Sequence, residues 1–91
     1  MTTQATDFVL YHTLGCHLCE EAEAIVTPLA EALACTVSRC DIADSEALVD
    51  AYGIRIPVLK AIASGAELSW PFSPETARAF MEMQCRSSSA N

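Results

Sequence analysis

Positive charge is what this 91-residue chain has least of: five lysines and arginines stand against twelve aspartates and glutamates, a formal charge of −7 at pH 7. A chain this acidic repels phosphate backbones and anionic head groups, so neither nucleic acid nor a membrane surface is an expected partner. Also missing is any run of roughly 18 uninterrupted apolar residues, the length that a helix needs to span a bilayer. The opening MTTQATD has neither a basic start nor an apolar stretch, so no export signal is expected and the cytoplasm is the expected location. No internal repeat or linker divides the chain, and low complexity is confined to the terminal RSSSAN. Apolar side chains, by contrast, are plentiful: they make up 52% of the sequence, enough for one domain over 1–91 to build a core without staples. The expectation is a monomer with its core over about 7–84 and an unstructured tail at 86–91.

The apolar pattern predicts the elements in turn. Phe8-Val9-Leu10-Tyr11 is a short β-branched and aromatic run that breaks at Thr13-Leu14-Gly15, and it reads as a buried strand. From Leu18 the apolar residues recur at Ala22, Ile25, Leu29 and Leu33, with Glu20, Glu23, Thr27 and Glu31 on the other side, which is a helical period. Pro28 inside it removes one backbone hydrogen bond, so a kink or a division into two helices is expected there. A second strand is expected between Cys35 and Ile42. Asp44 or Ser45 then caps a short helix ending at Gly53 in the left-handed position. Ile56 to Ile62 reads as a strand with Pro57 at its start, turned by Ser64-Gly65 into a hairpin with Ala66 to Trp70. Ser73-Pro74 opens the last helix, with Ala77, Phe80, Met81 and Gln84 on one face. The fold class is therefore α/β with the order β-α-β-α-β-β-α, a four-stranded mixed sheet whose helices cover both faces.

Five cysteines are an odd count and cannot all pair internally. In a reducing compartment they point to catalytic or metal-binding use rather than to structural disulfides. A C-x-x-C spacing alone is weak evidence, and its position decides. In GCHLCEE, Cys16 falls at the cap of the first helix and Cys19 lies one turn inside. Unpaired N–H groups and the positive end of the helix dipole favour a thiolate at Cys16, whose pKa is expected to be depressed. The three-residue separation brings Cys19 to the same edge, where it can attack a mixed disulfide and release the product. His17 adds positive charge beside Cys16 when protonated, while Glu20 and Glu21 oppose it. The plainer reading is that two small apolar thiols merely pack at a helix start.

Tyr11, the CHLC pair, the helix after it and Arg55-Ile56-Pro57-Val58 together resemble a glutaredoxin over about residues 7–84, and the element order matches the thioredoxin fold. The resemblance implies a cis bond before Pro57, a Pro57 facing the cysteine pair, and backbone groups of Ile56 offered to a bound thiol substrate. Two departures concern glutathione. Thr13 stands where such proteins carry a lysine three residues before the first cysteine. Ser69 to Glu75, SWPFSPE, stands where a Gly-Gly-x-Asp type loop is usual, and there Pro74 removes a backbone donor while Glu75 adds repulsion. No resident cofactor is implied, and glutathione enters only as an optional co-substrate. The WPF stretch resembles that of small bacterial glutaredoxin-like families; Phe72 is expected in the core, and Trp70 either there or on a docking surface.

The expected function is thiol–disulfide exchange on protein or small-molecule disulfides, with Cys16 as nucleophile, Cys19 as resolving thiol, and Ile56 and Pro57 as substrate-binding residues. Two other functions fit the same residues: a thioredoxin-fold binding module without turnover, and an iron–sulfur or zinc carrier. Cys35, Cys40 and Cys85 form no second C-x-x-C, so no metal site is expected. Cys35 and Cys40 are expected to be partly buried and Cys85 exposed. Arg55 and His12 are weighed as helpers of Cys16 or as ordinary surface residues, and neither enters the site.

Overall fold

The structure, a computed structural model, describes the backbone of residues 6–89 and the side chains of residues 6–84. Its elements are β1 (Phe8–His12), α1 (His17–Leu33), β2 (Val37–Asp41), a single 3-10 turn (Ile42–Asp44), α2 (Glu46–Tyr52), β3 (Val58–Ala61), β4 (Glu67–Ser69) and α3 (Pro74–Ser89). They form one sheet in the order β2-β1-β3-β4. β1 and β2 are parallel, as the α1 crossover requires, while β1–β3 and β3–β4 are antiparallel.

Alternation along the central strands divides the interior in two. Phe8 and Leu10 of β1 and Leu59 and Ala61 of β3 meet Ala22, Val26 and Ala30 of α1 and Ala77 and Met81 of α3 on one face. On the other face Val58 packs with Ile42 and Tyr52, flanked by Tyr11, Leu48 and Ile56. Apolar surface removed from water at roughly 25 cal/mol per Å² stabilises both layers. Helices thus lie on both sides of the sheet, as expected of this α/β order.

The departures are local. The buried ridge of α1 is Cys19-Ala22-Val26-Ala30, with Ile25, Leu29 and Leu33 at its margin and Leu18 exposed, so the core-facing stripe is rotated from the expected one. α1 also runs unbroken through Pro28, which sits exposed, where water can hydrate the carbonyl that the missing N–H leaves unpaired. Ile42 belongs to the 3-10 turn and not to β2, because the Asp41 side chain accepts the N–H of Ala43 and caps that turn. Ser45, whose Oγ accepts the N–H of Leu48, caps α2. Gly53 ends α2 with right-handed dihedrals (φ −51°), contrary to the expected left-handed cap. Its requirement for glycine is a close approach, since a Cβ there would stand 2.5 Å from the Val49 carbonyl oxygen. Ser73 caps α3 through its Oγ, which accepts the N–H of Thr76 at 3.0 Å. α3 reaches Ser89, past Cys85, where a tail is expected from composition; Ala90 and Asn91 lie outside the described residues.

Candidate redox site

The strand directions gather four loops at one end of the sheet. β1 and β2 finish there at His12 and Asp41, while antiparallel β3 begins there, with Val58 opposite Tyr11 on β1 and Ser69 on β4. The Thr13–Gly15 turn, the 3-10 turn, the approach to β3 and the Trp70–Phe72 segment therefore share this end. Gly15 takes a positive φ of 78°, a conformation open to glycine at little steric cost, and so turns the chain into α1.

Cys16 is the N-cap of α1, in extended conformation, and its Sγ accepts the backbone N–H of Cys19 at 3.2 Å. The Cα atoms are 5.2 Å apart and the two sulfurs stand at disulfide distance. The pair is asymmetric: Cys16 is half-buried at the surface, whereas Cys19 is 4% exposed and belongs to the buried ridge of α1. A cavity of about 190 Å³ beside them is lined by His12, Cys16, Cys19, Glu20, Glu23 and Arg39, among others. Arg39, projecting from edge strand β2, is tied to Glu23 of α1 at 2.8 Å. The His17 side chain is 82% exposed and lies 4.0 Å from Glu20 and 3.4 Å from Glu21, so it stands over the helix surface with both acids.

The Ile56–Pro57 peptide is cis, as the glutaredoxin resemblance implies, and Trp70–Pro71 is a second cis bond with no expectation behind it. Pro57 is buried, and its carbonyl accepts the N–H of Trp70 at 3.1 Å. It immediately precedes Val58, the partner of Tyr11, and so lies at the end of the sheet that carries the cysteines. Ile56 is half-buried, and its N–H already donates to the Tyr52 carbonyl at 3.0 Å.

Arg55 stays exposed while donating to Glu67 at 2.6 Å, and its guanidinium covers the Tyr52 ring at 5.1 Å. Tyr52 donates its hydroxyl to the same carboxylate at 2.7 Å and stacks on Tyr11 with centroids 4.4 Å apart. The hydrogen bond to Glu67, assisted by burial, pushes the Tyr52 pKa up to about 12. The donors Tyr52 and Arg55 hold the Glu67 carboxyl below its usual range. Sequence reasoning does not find this cluster, because its members come from α2, the loop before β3 and β4, and no spacing links them.

Phe72 is 7% exposed and in the core, as expected, and Trp70 meets it edge-on at 5.0 Å, packed against the same core. Cys35 and Cys40 are half-buried, and the Cys35 thiol donates to the Leu33 carbonyl at 3.6 Å. The side chain of Cys85 lies outside the described residues. Among the described residues no three histidine, cysteine, aspartate or glutamate side chains gather into a metal-binding group, and no helix is long and apolar enough to cross a membrane.

Comparison with known proteins gives this geometry a family. Residues 7–82 match the model of the glutaredoxin-like domain (DUF836). The X-ray structure of the structural genomics target protein XcR50 from X. campestris is 41% identical, with a TM-score of 0.69, over 84% of this chain and 96% of that one. The solution structure of protein Ne2328 from Nitrosomonas europaea is 30% identical, with a TM-score of 0.68, over 88% of this chain and 98% of the other. No curated protein is matched. The chain belongs to the glutaredoxin-like domain family and has its thioredoxin-like fold, with the cysteine pair at disulfide distance where the first strand gives way to the first helix.

Proposed function

We propose that this protein is a thiol–disulfide oxidoreductase that acts on disulfides of proteins or small molecules in the cytoplasm. The observation that carries this reading is the unequal exposure of two sulfurs within bonding reach: Cys16 at the surface and capping a helix, Cys19 buried one turn later. Access favours the outer sulfur as the one a substrate meets, and the N–H donor at the helix start favours it as a thiolate. In the reduced protein, the Cys16 thiolate attacks one sulfur of the substrate disulfide, forms a mixed disulfide and expels the first substrate thiolate. Cys19 then loses its proton to solvent and attacks Cys16, which releases the second thiolate and leaves the Cys16–Cys19 disulfide. Two electrons pass to the substrate, and its thiolates take their protons from water. A thiol reductant returns the pair to the dithiol. Ile56 and Pro57, at the same end of the sheet, are the proposed substrate-binding residues, and the acting unit is the monomer. No resident cofactor takes part, and glutathione is an optional co-substrate.

The test is reduction of insulin or of a mixed disulfide, with turnover expected for the native protein and none for Cys16→Ser. Equal turnover in that variant overturns the assignment. Titration of the pair in glutathione buffers, read by mass spectrometry, reports its potential and any adduct on Cys16.

A further inference from the structure

The surroundings of the Cys16–Cys19 pair restrict what can dock there, and this inference rests on the redox reading above. The two arginines at this end of the sheet are both occupied: Arg39 by Glu23 at 2.8 Å and Arg55 by Glu67 at 2.6 Å. Each pair is neutral as a unit, so neither adds net positive charge, although the Arg39 and Arg55 side chains stay 58% and 42% exposed. Facing solvent at the start of α1 are instead Glu20 and Glu21, with Glu20 also lining the cavity at the sulfurs. Asp44 and Glu46 are exposed on the chain leaving β2 at the same end. His17 is the ionisable partner of Glu20 and Glu21, and one imidazole offsets at most one of the two carboxylates.

Leu14 lines the cavity at the sulfurs together with Glu20. Leu14, in the turn before Cys16, is 83% exposed, Leu18 is 45% exposed, and Ile54, in the loop leading to Pro57, is fully exposed. These side chains stand outside both core clusters and present apolar surface that can cover apolar residues of a partner. Exposed apolar side chains near exposed acids suit a polypeptide bearing both apolar and basic side chains, and the acids disfavour a small disulfide carrying several carboxylates.

We propose that the substrates of the Cys16–Cys19 pair are cationic polypeptides, whose disulfides are flanked by apolar and lysine or arginine side chains. Glu20 and Glu21 are the specificity-determining residues, which speed encounter by attracting positive charge to the sulfurs.

The experiment uses three synthetic peptides of equal length, each with one cysteine between leucines and each oxidised to its symmetrical disulfide. The remaining positions are lysine in the first, glutamine in the second and glutamate in the third. Oxidation of the fully reduced protein by each peptide is followed by quenching and mass spectrometry. Every rate is divided by that of the same peptide with 2-mercaptoethanol, a neutral thiol, to remove intrinsic reactivity. The lysine peptide is expected to exceed the glutamate peptide by about tenfold or more at low ionic strength, converging as salt shortens the screening length. Replacing Glu20 and Glu21 together by glutamine is expected to collapse the ratio, while Glu82→Gln on α3 leaves it in place. Reduction of all three peptides without a charge preference overturns the substrate class and leaves the redox reading standing. Failure to reduce even hydroxyethyl disulfide, which is small and neutral, overturns both.

Discussion

The sulfur of Cys16 accepts the backbone N–H of Cys19 at 3.2 Å, so the two residues of the pair are linked through the main chain of α1 as well as through their side chains. That donor belongs to the first turn of the helix, where N–H groups have no carbonyl four residues earlier to bond. A sulfur in this position gains more from the contact when it is negatively charged.

In the reduced protein, therefore, the Cys16 thiol is expected to titrate below the free-cysteine value of about 8.5. Thiolate absorbance followed against pH in Cys19→Ser, where Cys16 is the sole thiol of the pair, checks this against a Cys16→Ser/Cys19→Ser background. The same Cys19→Ser variant is expected to accumulate a mixed disulfide with substrate, since the resolving sulfur is gone; intact-mass measurement detects it.

Tyr52→Phe removes a hydrogen bond to a charged carboxylate and is expected to cost about 1–2 kcal/mol at neutral pH, read by urea unfolding. The pH dependence has two limbs. Glu67 ionises below its ordinary value of 4.5 in the folded protein, so its contribution is present above that value and is lost as pH falls through the lower folded one. Tyr52 moves from 10.0 to about 12, so its contribution is complete below pH 10.0 and disappears between there and about 12. The gap between native protein and Tyr52→Phe should narrow on both sides.

Gly53→Ala sets two effects against each other. Fewer unfolded conformations would stabilise by about 0.4–1 kcal/mol. Crowding of the new Cβ against the Val49 carbonyl oxygen, 2.5 Å away, costs about 1–3 kcal/mol. The crowding is the larger effect, and a lower unfolding midpoint is expected.

Leu59→Ala opens a cavity beneath fully buried side chains and should cost about 2–5 kcal/mol. Breaking the solvent-facing pair between Glu23 and Arg39 with Glu23→Gln should cost no more than about 1 kcal/mol and less in high salt. Thermal unfolding of the two variants side by side separates core from surface.

How much of this was readable in advance depends on the range of the interaction concerned. Local rules were sufficient for the order of elements, for the cap at Ser73, for narrowing the α2 cap to Asp44 or Ser45, and for Cys16 at the mouth of α1, because each depends on residues within one turn. They were insufficient for the buried ridge of α1. Two neighbouring apolar stripes run along that helix, and contact with the sheet and α3 selected the one carrying Cys19, Ala22, Val26 and Ala30. Gly53 was expected as a left-handed cap, yet it keeps right-handed dihedrals and its need for glycine is a close approach to Val49 one turn earlier, a local detail that residue type alone does not reveal.

By itself, then, the sequence determined the α/β order, the strongly acidic charge and the presence of a C-x-x-C pair at a strand–helix junction, since these follow from periodicity, composition and spacing. Tertiary structure alone decided that Cys19 is buried while Cys16 is not, and that Arg39 and Arg55 are neutralised by Glu23 and Glu67. Those outcomes depend on which segments far apart in the chain come together when the sheet closes, and no local pattern records that.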